Sequence, residues 1–178
     1  MALKKVIIIN PLLCTGCMEC ELVCSISKTG IANPVESRIK ITREIGEDIC
    51  VPIICRHCDP APCMETCPFD AIYRNSETNA LVIDYDICVN CQQCLTACPF
   101  GAIQISSRGE VIKCDLCDGD PKCVKFCKSR PPNSSSFMAN PRASALQFVD
   151  ISEATITKRL IQRRKFIKSL AEQSNLYS

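Results

Sequence analysis

The run Cys88-Val89-Asn90-Cys91-Gln92-Gln93-Cys94-Leu95-Thr96-Ala97-Cys98-Pro99 decides how the rest of the chain is read. It gives to sulfur the positions that a globular domain gives to aliphatic side chains. The whole chain follows suit: 17 of 178 residues are Cys, none is Trp, and the hydrophobic share reaches 47% only because Cys is counted in it. A conventional packed core is short of material. Cysteine at this density serves disulfides, zinc or iron-sulfur clusters, and disulfides require an oxidising compartment. The N-terminus argues against export, because Met1-Ala2-Leu3-Lys4-Lys5 is followed only by the short apolar run Val6 to Ile9. No twin-arginine pair precedes it, and no apolar run approaches the roughly 18 residues of a membrane helix. The expectation is a cytoplasmic protein with reduced thiols and no membrane span.

Working outward, the same pattern occurs four times with one cysteine left over. The first motif is Cys14-x2-Cys17-x2-Cys20-x3-Cys24, and the second is Cys55-x2-Cys58-x4-Cys63-x3-Cys67-Pro68. The third is the run quoted above, and the fourth is Cys114-x2-Cys117-x5-Cys123-x3-Cys127. In a C-x2-C-x2-C-x3-C-P run, three close thiolates hold one [4Fe-4S] cube and the fourth reaches a neighbouring cube. Zinc sites also begin with C-x2-C, but they join two pairs across a spacer of roughly 12 to 20 residues, and no motif here contains one. Iron-sulfur clusters are therefore the expected cofactor, four [4Fe-4S] in all.

Since each fourth cysteine serves another cluster, the motifs must pair. Motifs two and three both end in Cys-Pro-Phe-x-Ala-Ile (Cys67 to Ile72 and Cys98 to Ile103), whereas motifs one and four lack the proline. The inner two would form one unit inserted within the unit formed by the outer two. The expected ligand sets are Cys14, Cys17, Cys20 and Cys127 for cluster 1, and Cys55, Cys58, Cys63 and Cys98 for cluster 2. Cluster 3 takes Cys88, Cys91, Cys94 and Cys67, and cluster 4 takes Cys114, Cys117, Cys123 and Cys24.

The fold class expected is α+β: two ferredoxin-like dicluster units with short β-hairpins built around four clusters, plus a C-terminal helix. Residues 1–36 and 104–150 would form the outer unit, 37–103 the inner unit, and 151–178 a basic amphipathic helix. Ala71 to Tyr73 with Leu81 to Ile83, and Ile103 to Ile105 with Val111 and Ile112, read as hairpins around polar turns. Arg38 to Arg43 with Ile49 to Ile54 reads as another. Val6 to Ile9 and Ala145 to Val149 are further strand candidates, and they would pair if the outer motifs share a unit. Residues 129–142, rich in Pro, Ser and Asn, read as a loop. In the tail, Ile156, Leu160, Ile167, Leu170 and Ala171 share a helical stripe, beside a basic face of about +4 charge. Such a helix packs on its own domain, docks on a partner subunit or another copy, or, as a lesser alternative, contacts a membrane surface or nucleic acid.

Four oxidised clusters of about −2 each would bring the formal charge of +2 to about −6, so no basic balance implies nucleic acid. Arg56, His57 and Lys113 lie beside ligands and read first as ordinary solvated or packed residues, with raising of nearby potentials as the functional alternative. His57, the sole histidine, offers coupling of reduction to protonation as an alternative. Cys50, within Ile49-Cys50-Val51, reads as a buried thiol acting as a small hydrophobe. One histidine and no glycine-rich phosphate loop leave little for catalysis by this chain alone.

Cys14-Thr15-Gly16-Cys17, Asn33-Pro34-x2-Ser37-Arg38-Ile39, Cys55-Arg56-His57-Cys58 and Lys113-Cys114-Asp115-Leu116-Cys117 carry a family resemblance covering roughly residues 4–127. The chain resembles the four-cluster, ferredoxin-like electron-transfer subunits of anaerobic oxidoreductases. Similar subunits serve carbon-monoxide dehydrogenase, formate-linked hydrogenases, molybdopterin reductases and tungsten-dependent aldehyde or aromatic acyl-CoA oxidoreductases. The resemblance implies the same inner and outer pairing. It also implies a catalytic oxidoreductase subunit and a second electron carrier as partners, with a lean toward a tungsten-dependent enzyme. A free multi-cluster ferredoxin, a filament-forming conductor assembled through the C-terminal helix and a zinc-stapled structural module are the competing readings.

Overall fold

The computed structural model describes residues 5–43, 50–129 and 144–151. Its strands are short and pair only two at a time, all antiparallel. β1 (Lys5–Ile9) pairs with β8 (Leu146–Asp150), placing Ile9 opposite Leu146 and Lys5 opposite Asp150. The two strand candidates at the ends of the cysteine-rich region thus meet, and Asn10 N–H extends the ladder to Ala145 O at 2.8 Å. β2 (Ile39–Arg43) pairs with β3 (Cys50–Ile54), β4 (Ile72–Arg74) with β5 (Leu81–Ile83), and β6 (Ile103–Ile105) with β7 (Val111–Lys113). These are the three expected hairpins, and buried positions alternate with half-buried ones along β3 and β5.

Four helices carry the later cysteines of the motifs. α1 (Glu19–Thr29) ends where Gly30 adopts φ +76° and returns its N–H to Ile26 O at 2.8 Å. α2 (Pro62–Glu65) opens with proline at its first position, where no N–H is needed. α3 (Gln93–Ala97) and α4 (Lys122–Ser129) complete the set. α1 packs on α4, joining motifs one and four, while α2 packs on α3, joining motifs two and three.

Two cores follow from these contacts. One gathers Ile7, Ile39, Ile54, Leu116, Val124 and Leu146 with cysteines of the outer motifs and Cys55 of motif two; the other gathers Ala61, Ile72, Leu81, Ile83, Ile103 and Val111 with cysteines of the inner motifs. The β2–β3 hairpin sits on the first core, where Ile41 N–H donates to the buried Glu21 carboxylate of α1. Ile103 and Val111 of the β6–β7 hairpin sit in the second core. Motif order alone does not reveal this, because a hairpin's inward face is chosen by the helix it covers. The loop expected over 129–142 and the helix expected over 151–178 fall, apart from Ser129 and Ile151, outside the described residues. Among the described residues no helix is long and apolar enough to cross a membrane.

A carboxylate clamps motif one to motif four. Asp115 Oδ2 accepts from Lys28 Nζ at 2.8 Å and from Arg38 at 2.6 Å, while Oδ1 accepts from Cys117 N–H at 2.9 Å. Burial pushes this carboxyl up, but the Lys28 hydrogen bond and the Arg38 charge outweigh it and hold it below the ordinary aspartate range. A lowered native value contributes stability that is complete above the unfolded pKa and is lost as pH falls through the native one. Asp115→Asn is therefore expected to cost about 1–2 kcal/mol, with the same deficit from about pH 6 to about pH 8. Thermal loss of visible absorption in the loaded protein measures it, and a deficit that varies across that window would disprove the assignment.

Candidate functional site

Each motif builds its site by one local device. The residue just before the second cysteine has positive φ in all four motifs: Gly16 (+67°), His57 (+48°), Asn90 (+56°) and Leu116 (+61°). Glycine accepts this conformation readily and asparagine and histidine are the side chains that adopt it most often, whereas for leucine it is strained, and such strain collects at functional sites. The turn aims backbone N–H groups at sulfur. His57 N–H donates to Cys55 Sγ and Leu116 N–H to Cys114 Sγ, each at 3.4 Å. Arg38 N–H to Cys24 Sγ and Ala102 N–H to Cys98 Sγ, also at 3.4 Å, serve two of the fourth cysteines in the same way.

The third and fourth cysteines of each motif stand four residues apart along a short helix or just past its end. Cys20 and Cys24 lie on α1, Cys123 and Cys127 on α4. Cys63 lies on α2 with Cys67 just beyond it, and Cys94 on α3 with Cys98 capping it. This spacing puts both sulfurs on one helix face, one turn apart.

Two hollows result, each lined by four cysteines from two motifs. Cys67, Cys88, Cys91 and Cys94 surround a hollow walled by Ile72, Ile83 and Val111. Cys24, Cys114, Cys117 and Cys123 surround another, beside Ile39 and Ile54. The remaining cysteines are related through their charges. Burial, then Cys14, Glu21 and Cys127, push the Cys20 thiol up to about 12. Burial, then Cys55 and Cys98, raise Cys58; burial raises Cys63, and Cys55 and Cys98 add to that. Cys17 does not enter these relations and is exposed.

The four groups also adjoin one another. Burial is the largest influence on each, and Cys20 is among those raising Cys123, Cys55 among those raising Cys114, and Cys63 among those pushing Cys94 up to about 11. Such thiols remain protonated at neutral pH unless a cation meets them, so the site is chemically a set of metal-demanding sulfurs. Four cysteine sulfurs from two motifs around each hollow are the donor set an iron-sulfur cube takes. Among the described residues no three His, Cys, Asp or Glu side chains converge on a single-ion site.

The charged residues next to the cysteines separate in role. Arg56 is exposed, with its guanidinium 4.4 Å from the Phe100 ring of motif three. His57 is buried, and its Nδ1 accepts from Leu81 N–H at 2.9 Å. Burial, with the Lys113 and Arg74 charges, drives its pKa down to about 3, so the ring is neutral and does not take up a proton near pH 7. Lys113 is buried as well. Arg74, which carried no motif signal in the sequence, ties the second motif down by donating to the carbonyls of His57, Cys58 and Asn79.

Comparison with known proteins follows the same lines. A 4Fe-4S dicluster domain model matches residues 47–136. The polyferredoxin-like subunit of aliphatic sulfonate oxidoreductase from Pyrococcus furiosus is 40% identical over 122 residues, 68% of this chain and 70% of that protein. An uncharacterized ferredoxin of Methanocaldococcus jannaschii is 36% identical over 160 residues, 89% of this chain and 80% of that one. Formate hydrogenlyase subunit 2 of Escherichia coli is 29% identical over 166 residues, covering 72% and 80%.

Cys50 stands apart from the motifs. It is buried in β3, and a Cβ added at Gly16 would lie 2.5 Å from its Sγ, so the thiol fills the space above the first motif's turn. Cys50→Ala is expected to retain the full iron content at a cost of about 1 kcal/mol. Gly16→Ala, which combines positive φ with that clash, should cost about 2 kcal/mol or more and speed iron loss. Cys20→Ala should remove about four iron atoms per chain. Iron analysis of the three variants checks this, and loss of iron in Cys50→Ala would make Cys50 a ligand.

Proposed function

On the premise that this chain belongs to the 4Fe-4S dicluster domain family, we propose that it is the electron-transfer subunit of an oxidoreductase complex, relaying single electrons through four [4Fe-4S] clusters. The observation that carries the reading is the pair of hollows each lined by four cysteines from two motifs. Bound clusters supply one-electron exchange without proton transfer. The chain supplies thiolates, apolar walls that limit water, and N–H donors to sulfur. Cys14, Cys17, Cys20 and Cys127 hold the first cluster, and Cys55, Cys58, Cys63 and Cys98 the second. Cys67, Cys88, Cys91 and Cys94 hold the third, and Cys24, Cys114, Cys117 and Cys123 the fourth. Outer motifs pair with outer and inner with inner, the β2–β3 hairpin joining the outer unit.

Adjacency of Cys20 to Cys123, Cys55 to Cys114 and Cys63 to Cys94 supports a relay in the order first, fourth, second, third site. Cys17 and Cys91, at the two ends of that order, are exposed, which suits them to exchange electrons with a catalytic subunit and a second carrier. Substrate conversion belongs to the catalytic subunit. The names of the relatives, one a subunit of aliphatic sulfonate oxidoreductase and one of formate hydrogenlyase, support such a partner. A tungsten-dependent partner is the narrower reading and rests on the family resemblance. Reduced thiols favour the cytoplasm as its compartment.

Anaerobic analysis of the purified chain is expected to give about 16 iron and about 16 acid-labile sulfide per molecule. About four zinc without sulfide would overturn the electron-transfer reading. Deleting residues 152–178 is expected to weaken association with the catalytic subunit or reduce oligomer size, and no change in either rejects a docking role for the tail.

A further inference from the structure

Lys113 ends β7 with its side chain turned inward, 2% exposed. Its ammonium donates to the backbone carbonyls of Leu81 and, at 3.2 Å, of Cys114. Leu81 N–H in turn donates to His57 Nδ1. Two buried polar side chains thus hold both backbone groups of one β5 residue. A carbonyl, however, needs only a neutral donor, and an ammonium is costly to bury unless an opposite charge meets it. Among the described residues no carboxylate lies within ion-pair distance of Lys113.

Lys113 adjoins two cysteine motifs. Its ammonium holds the Cys114 carbonyl of motif four, and through Leu81 it shares a wall with His57 of motif two, whose Nδ1 lies 3.9 Å from Cys55 Sγ. His57 adds a second donor in the same wall: with Nδ1 accepting, its proton is on Nε2, a buried atom with no partner among the described residues. Cys55 belongs to motif two and Cys114 to motif four, so Lys113 adjoins residues of two of the sites assigned above.

We propose that Lys113 is the buried counter-ion shared by the second and fourth iron-sulfur sites, and that it holds both at higher reduction potentials than they would otherwise have. The inference rests on the ligand assignment of the proposed function. One-electron reduction converts one ferric to ferrous iron, breaks no bond, takes up no proton and adds one negative charge to the site. A fixed cation beside it stabilises the reduced form more than the oxidised form. The effect falls with distance, so the first and third sites are affected least. In the relay order first, fourth, second, third, Lys113 acts on the two middle stations.

The test uses the full chain, loaded and handled anaerobically, with iron and sulfide counts followed by redox titration monitored by electron paramagnetic resonance. Lys113→Gln keeps a donor for Leu81 O and removes the charge; Lys113→Arg keeps the charge. The Gln variant is expected to hold its full iron, with two of the four sites shifted to lower potential and the other two unmoved, while the Arg variant stays near the parent. Unshifted potentials in a fully loaded Gln variant, or equal shifts at all four sites, would overturn the inference. Iron loss in the Gln variant that Arg repairs supports the counter-ion role, and loss that Arg does not repair assigns Lys113 to packing and overturns it. Failure of the parent chain to hold about 16 iron would instead strike the proposed function.

Discussion

A sulfur buried where water cannot solvate its anion is the constraint on which this molecule depends. Desolvation is the largest influence raising Cys20, Cys24, Cys58, Cys63, Cys94, Cys114 and Cys123. Left to themselves these thiols stay neutral. Iron reverses the balance by bringing positive charge to the centre of each group, so cofactor binding and folding become one equilibrium. That explains how a chain without Trp and with strands of three to five residues can still be ordered. Its cores are small because much of the work of a core passes to metal.

The second theme is interlacing. In the proposed ligand sets each helix offers two sulfurs one turn apart to different groups, so that no motif is self-sufficient. α1 packs on α4 and α2 on α3 because their sulfurs serve common hollows. The same sharing keeps the groups close together, as the adjacency of Cys20 with Cys123 and of Cys63 with Cys94 illustrates. Tunnelling requires short gaps, and here short gaps follow from the ligand pattern. The Asp115 clamp adds a polar tie between the outer motifs at Lys28 and Arg38.

Much of this was legible in the sequence because cysteine spacing is a direct record of geometry. The hairpins from Ile72, Ile103 and Ile39, the pairing of the Val6 and Leu146 strands and the buried place of Cys50 all follow from short apolar runs between motifs. Other features left no such record. Leu116 occupies a left-handed turn that its residue type disfavours, and only comparison with Gly16, His57 and Asn90 at the same motif position reveals the common device. The β2–β3 hairpin joins the outer core through Glu21 and Gly16, contacts that depend on tertiary packing. His57 looked suited to titration near neutral pH until burial and its Leu81 hydrogen bond fixed it as a neutral ring.

The β1–β8 ladder bears on how the protein is made. Strand β1 is synthesised first, yet its partner begins at Leu146, so it has nothing to pair with until nearly the whole described region has been translated. The inner motifs end at Cys98, and their hairpins close locally. A ribosome-bound chain can therefore settle its centre while both margins wait, and an early stop in translation leaves the first strand's edge and the thiols of motif one open to oxygen.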